Sequence, residues 1–335
     1  MIFNVPIESI EERYSKQWNK WFPRFFESQN ISYETIYPKH LESTILTGRF
    51  LNIVTSNNFK AKQLVEITEL FNLGLIHNGD VFLFHDLWFP GLEMLAYIRN
   101  CTGIKFGITG ILHAGTYDPH DFLYEMKMES WGKHLENSWF AFADKIFVAT
   151  MFHKGLIRKS RKVSDEKIVV TGLPLYDEFS ILGSLRDKTI VFPHRLDPEK
   201  QPELFDKLKE EPLLKTYNFV KTKDGFITKE GYYKQLNSGK VAVSFALQET
   251  WGIAMQESVL CGCLPVVPRR LSYEELYPNQ FKYSTYKEAV SLIANMSKNY
   301  NSYDKLLKET QQKIIKNGAN AIPNIVTELR KDYTI

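Results

Sequence analysis

The chain has 335 residues, 44% of them hydrophobic and 24% charged. At about 150 residues per domain this predicts two domains with sizeable cores, and it excludes disorder as the main state. A net charge of +3 provides no global field of the kind that marks a nucleic-acid protein.

Strands and helices alternate along the chain, the pattern of parallel sheets covered on both faces, so the fold class is α/β. Residues 2–5 and 49–55 read as strands, and 60–73 has helical spacing of Leu64, Ile67, Leu70 and Phe71. Residues 80–84 form a buried strand ending at His85-Asp86, and 105–109 the next, running on towards His113. Strands at 145–149 and 167–171 complete this half. Gly172 and Pro174 punctuate the chain, and the polar, irregular stretch 173–188 reads as the interdomain linker. A second block follows: strand 189–193, helix 201–209, strand 217–221, helix 232–237, strand 241–245, helix 254–261 and strand 264–267. His85, Asp86, His113, His194, Arg195 and Glu249 all follow strands. In doubly wound domains that position is the ligand crevice.

No apolar run approaches the roughly 18 residues of a membrane span. The opening Met1-Ile2-Phe3-Asn4-Val5-Pro6 lacks the basic and apolar regions of a secretory signal, so a cytoplasmic location is expected. Cys101, Cys261 and Cys263 cannot make a disulfide framework and read as small buried residues.

The strongest local feature is Gln248-Glu249-Thr250-Trp251-Gly252-Ile253-Ala254-Met255-Gln256-Glu257. Glu249 lies in a loop after a strand and Glu257 about one turn inside a helix. Gly252 lets backbone approach a ligand, and the helix N-terminus offers N–H groups to an anion. Glu257 can accept hydrogen bonds from sugar hydroxyls. The second feature is Phe192-Pro193-His194-Arg195-Leu196-Asp197-Pro198-Glu199-Lys200, where Arg195 and Lys200 suit two cations converging on a diphosphate.

Together these residues resemble the GT-B glycosyltransferases, in particular the retaining family-four branch. The Arg195/Lys200 pair, the Glu249/Glu257 pair and the strand Gly262-Cys263-Leu264-Pro265-Val266-Val267 stand in that family's order. The continuation from Arg270 to Leu276 is similar to the branch that includes the tRNA-queuosine mannosyltransferases. Phe84-His85-Asp86-Leu87-Trp88 resembles the His-Asp-Trp segment of glycogen synthases, and His113 falls where that family has a cleft histidine. The resemblance implies two Rossmann-like doubly wound domains facing across a cleft. They would be an acceptor domain at 1–175 and a nucleotide-sugar domain at 176–310, with a C-terminal helix at 311–335 returning to the first. It implies that Glu257 holds the donor ribose, Arg195 and Lys200 the diphosphate, and Glu249 with Thr250, Trp251, Gly252 and Ile253 the transferred sugar. His113 would lie beside the reaction centre and Asp86 near the acceptor.

One departure stands out: the loop after the first strand, Pro6 to Ser15, lacks the Gly-Gly of many relatives, and Arg13 is expected to replace its N–H groups. The aromatic, basic segment from Trp18 to Pro23 is a candidate acceptor platform. This opening is similar to that of bacteriophage glycosyltransferases. With the basic residues Arg158, Lys159, Arg161 and Lys162 it points to a nucleic-acid acceptor. The expected activity is retaining transfer of a sugar from a nucleotide diphosphate, UDP first, to a hydroxymethylated base in phage DNA in the host cytoplasm. The alternatives are tRNA queuosine or a glycan as acceptor, or a nucleotide-sugar epimerase. No Asp-x-Asp occurs in the sequence, so no metal cofactor is expected.

Overall fold

Strands in which nearly every side chain is apolar cannot leave one face in water and belong inside sheets covered on both sides. The computed structural model describes residues 1–10, 13–38, 52–176, 186–224 and 228–335, and its apolar runs form two such sheets. The first half runs β1 (Ile2–Val5), α1 (Ser15–Ser28), β2 (Tyr33–Thr35), α2 (Ile53–Asn72), β3 (Val81–Phe84), α3 (Leu92–Thr102), β4 (Gly107–Ile111), α4 (Phe122–Glu125), α5 (Glu129–Phe142), β5 (Lys145–Val148), α6 (Met151–Ser160) and β6 (Ile168–Val170). The second runs β7 (Thr189–Phe192), α7 (Pro202–Lys207), β8 (Asn218–Lys221), α8 (Lys229–Ser238), β9 (Val241–Val243), α9 (Ile253–Leu260), β10 (Leu264–Pro268), α10 (Tyr273–Leu276), β11 (Lys282–Tyr283), α11 (Tyr286–Lys298) and α12 (Asp304–Asp332).

The chain divides into two units, one of Met1–Ala149, His153–Pro174 and Asn320–Ile335, the other of Thr150–Phe152 and Leu175–Ala319. In the first unit six strands pair in the order β2-β1-β3-β4-β5-β6, all parallel. Phe84 stands opposite both Val5 and Gly110, so the carboxyl ends of β1, β3 and β4 lie together. Gly110 is required there: a Cβ would come within 2.7 Å of the Phe84 carbonyl oxygen. The core beneath is aromatic, with Phe3 and Phe82 stacked at 5.0 Å and Trp139, Phe84 and Phe106 buried around them. The end of α12 belongs to this unit, where Lys145 pairs with Asp332 at 3.3 Å.

In the second unit five parallel strands pair in the order β11-β10-β9-β7-β8. Side-chain caps set two of its helices: Thr228 Oγ1 accepts from the Gly231 N–H ahead of α8, and Thr285 Oγ1 from the Glu288 N–H ahead of α11.

The strand expected at 49–55 is absent over its described part, where residues 53–55 open α2. The Asn52 side chain caps this turn by accepting from the Thr55 N–H at 3.3 Å, so the helical pattern read from residue 60 starts earlier. The short edge strands β2 and β11 carry no apolar run to announce them. Cys101 is exposed, against expectation, while Cys261 and Cys263 are buried. Residues 177–185 of the expected linker, and Glu11 and Glu12 of the first loop, lie outside the described residues. Among the described residues no helix is long and apolar enough to cross a membrane.

Candidate active site

In the second unit, Pro193 ends β7 and throws His194 and Arg195 into the following loop. The Arg195 guanidinium lies 2.7 Å from Asp197 and 3.2 Å from Glu199. Lys200 is buried, and its ammonium donates to the Gln248 carbonyl at 2.5 Å and to Gln248 Oε1 at 3.2 Å. Glu249 Oε2 is 3.5 Å from the same ammonium. The Leu247 N–H donates to the Glu199 carbonyl at 2.8 Å, so the loops after β7 and β9 are tied together. Arg195, Lys200 and Glu249 are thus brought together, with each cation already facing a carboxylate. Burial pushes the Glu199 carboxyl above its ordinary range in spite of Lys200 and Arg195.

Glu249 folds back onto the start of α9, accepting from the Gly252 N–H at 2.9 Å. Burial pushes its carboxyl up, but Lys200, His194 and the Gly252 and Trp251 N–H groups outweigh that and hold it below the ordinary range. Gly252 has φ +73°, a conformation that favours glycine, and a Cβ there would sit 3.1 Å from the Tyr273 ring. The Tyr273 hydroxyl in turn bonds Ser244 Oγ at 2.9 Å. The Thr250 carbonyl accepts from Thr150 Oγ1 at 2.9 Å, Trp251 is buried, and Ile253 begins α9. As in any helix, the first N–H groups of α9 have no intrahelical acceptor and present partial positive charge.

Glu257, in the second turn of α9, is buried. Its Oε1 accepts from Lys229 Nζ at 2.8 Å and the Tyr233 hydroxyl at 2.9 Å, its Oε2 from the Tyr232 hydroxyl at 3.0 Å. Burial pushes its carboxyl up, but Lys229, with Lys223 and the Tyr233 hydroxyl, outweighs that and holds it below the ordinary range. A carboxylate has about four acceptor sites, so three bonds leave room for one more donor unless Lys229 or Tyr233 gives way.

In the first unit the ends of β3 and β4 bring His85, Asp86 and His113 together. His113 Nε2 donates to the His85 carbonyl at 2.7 Å, which leaves Nδ1 as acceptor towards the Tyr14 hydroxyl at 3.4 Å. Burial pushes the His113 imidazole below its ordinary range, against the pull of Asp86. The buried His85 ring bonds Asn4 Oδ1 at 2.7 Å and is pushed down to about 3 by burial. Asp86 is paired with Lys60 of α2 at 2.8 Å and accepts from the Trp88 N–H at 3.1 Å. One turn earlier on α2, Ser56 donates to the buried Glu8 at 2.5 Å, and Glu8 Oε2 has no hydrogen-bond partner among the described residues. Lys60, Glu8 and Lys229 carried no sequence signal, because each partner lies 26 or more positions away.

The expected acceptor residues are placed differently from the sequence reading. Trp18 is fully buried in α1, its indole N–H donating to the Pro174 carbonyl at 3.0 Å and its ring 5.5 Å from His113; it is not an exposed stacking surface. Arg13 is half-buried, with its guanidinium 5.7 Å from the Tyr14 ring centroid. Arg161 is not part of a surface patch: it is buried against Glu136 at 2.7 Å. Arg158 pairs with Asp165 at 3.0 Å and Lys154 with the same carboxylate at 3.1 Å. Lys159 and Lys162 are exposed.

No protein-family model matches the chain. Over 84 residues, 25% of its length, it is 38% identical to the tRNA-queuosine alpha-mannosyltransferase of Drosophila melanogaster, and the match spans 21% of that protein. Among solved structures, the sucrose-phosphate synthase of Thermosynechococcus elongatus superposes with a TM-score of 0.69 at 11% identity, covering 98% of both chains. HepE from Anabaena, solved with UDP and glucose, superposes with a TM-score of 0.64 at 12% identity, covering 98% of this chain and 99% of that one. With its two parallel sheets of six and five strands, the chain has the α/β fold of the GT-B glycosyltransferases.

Proposed function

We propose that the chain is a retaining glycosyltransferase that moves a sugar from a nucleotide diphosphate, UDP first, to a hydroxyl of a tRNA nucleoside. The observation that carries this reading is the knot of Arg195, Lys200 and Glu249 at the ends of β7 and β9, beside the N-terminus of α9, with Glu257 one turn inside that helix. The cations and the helix terminus suit a diphosphate that departs with growing negative charge, and they lower the barrier by being fixed before the charge develops. Glu257 suits the ribose, and Glu249 the hydroxyls of the sugar. The acceptor side falls to the first unit, where the neutral His113 and ionised Asp86 can orient a hydroxyl. Front-face attack, with the leaving phosphate taking the acceptor proton, needs no enzyme nucleophile.

The tRNA acceptor is supported by the 84-residue likeness to a tRNA-modifying mannosyltransferase. A hydroxymethylated base in phage DNA rests on the phage-like opening, the aromatic segment at Trp18, the 154–162 basic run and the small positive net charge; Trp18 is buried, and three cations of the run are tied to Glu136 or Asp165, leaving Lys159 and Lys162 exposed. The test is intact-mass nucleoside analysis after incubation with pooled nucleotide sugars and bulk tRNA, hydroxymethylcytosine-containing DNA or plain DNA. A hexose or pentose gain on tRNA alone supports the reading. A gain on the hydroxymethylated base alone moves the acceptor to DNA, and no consumption of any nucleotide sugar overturns the transferase itself.

A further inference from the structure

The loop between β7 and α7 holds a buried group that the donor reading does not use. His194 is 3% exposed, and its Nε2 has no hydrogen-bond partner among the described residues. Buried polar atoms nearly always find partners, so an orphaned ring nitrogen beside a proposed anion site calls for a ligand as its explanation. The ring packs against Phe192, edge-on at 5.3 Å. The charges that act on it are Lys200, Glu249 and Arg195, the same three groups assigned to the diphosphate and sugar. His194 adjoins Arg195 in the loop after β7, the loop that also carries Lys200, so it stands with the groups assigned to the phosphates.

We propose that His194 is a further ligand of the donor diphosphate, its Nε2–H donating a hydrogen bond to an oxygen of the second phosphate. This rests on the glycosyltransferase reading and adds to it a neutral contact. Burial and the nearby Lys200 ammonium push His194 down to about 3, so it carries one N–H and no charge. A third cation between Lys200 and Arg195 would repel both, whereas a neutral N–H adds a directional bond. It would also tell a diphosphate from a monophosphate, because only the diphosphate carries the second phosphate that His194 meets.

The experiment is calorimetric titration of UDP, UMP, GDP and GMP into the full chain, its His194→Ala variant and its His194→Gln variant. With whichever base binds, His194→Ala weakens the diphosphate about tenfold or more, as expected for a hydrogen bond to a charged group, and the monophosphate about twofold at most. His194→Gln, whose amide N–H can stand near the position of Nε2, recovers most of the loss. Equal losses for diphosphate and monophosphate, or no loss for either, overturn the inference while leaving the function reading intact. A wild-type chain that binds none of the four overturns both.

Discussion

Arg161 decides between two readings of the same basic run. It is buried with Glu136 in the first unit, the two side chains 4% and 0% exposed. Glu136 Oε2 accepts from Arg161 Nε at 2.8 Å and Thr116 Oγ1 at 2.9 Å, and Oε1 from the Thr116 N–H at 2.6 Å. Arg161→Met removes the one cation paired with that carboxylate among the described residues and leaves it buried with neutral donors. Breaking one side of a buried pair costs about 3–5 kcal/mol. At roughly 2–4 °C per kcal/mol for a unit of this size, the melting transition should fall by about 6–20 °C. Burial already pushes the Glu136 carboxyl above its ordinary range in spite of Arg161, so the attraction repays desolvation only in part. The double variant Arg161→Met/Glu136→Gln should therefore recover much of the loss, with a coupling of about 2–3 kcal/mol. Scanning calorimetry measures both, and filter binding of tRNA against salt runs beside it. An Arg161→Met protein that melts like the wild type while its salt dependence flattens would refute the structural role and restore the phosphate contact.

Arg195→Ala should slow UDP release from a UDP-sugar by about 2–4 kcal/mol of transition-state stabilisation, with melting unchanged because the side chain is 36% exposed; a wild-type rate removes it from the site. Glu257→Gln should weaken UDP binding and also alter acid stability. The folded carboxyl is depressed, so its stabilisation is present above about pH 4.5 and is lost as pH falls through the folded value. Melting curves of wild type and variant should accordingly converge in acid; parallel curves from pH 7 to pH 3 count against the buried pair with Lys229. Trp18→Ala should cost about 3–5 kcal/mol of stability, since the fully buried indole packs on Tyr14, Phe22 and His113. A stable variant that lost only acceptor affinity would return Trp18 to the surface role.

The parallel strands were legible because central strands are apolar on both faces: Val-Phe-Leu-Phe at β3 and Leu-Pro-Val-Val at β10 can hardly be read otherwise. The polar residues just after them followed from topology, and the structure does gather His85, Asp86 and His113 in one unit and Arg195, Lys200 and Glu249 in the other. Charge runs were misread for a physical reason. Arg161 and Lys162 are neighbours in sequence, but only Arg161 turns inward, and the carboxylate that draws it in is 25 positions upstream. Trp18, Trp21 and Phe22 fall at helical spacing and are all buried, so periodicity favoured the core over a platform. The Glu8–Ser56 contact spans 48 positions with no pattern to announce it.

The charge inventory of the second unit also limits how the donor can be held. Arg195 and Lys200 do not form a bare dication, because Asp197, Glu199 and Glu249 stand beside them. Lys200 is buried and already has the Gln248 carbonyl, its side-chain oxygen and Glu249 as partners, so in the proposed site its ammonium would act on an incoming diphosphate largely through its field. Arg195 is one-third exposed and can exchange a carboxylate for a phosphate with little rearrangement. On the proposed glycosyltransferase reading the two cations have unequal duties: Lys200 holds the loops after β7 and β9 in place, and Arg195 meets the ligand. A neutral donor such as His194 is useful in that setting, since it adds a bond to the phosphate without drawing in another carboxylate. Lys200→Met should on this ground lower melting more than Arg195→Met, and Arg195→Met should lower diphosphate affinity more than it lowers melting.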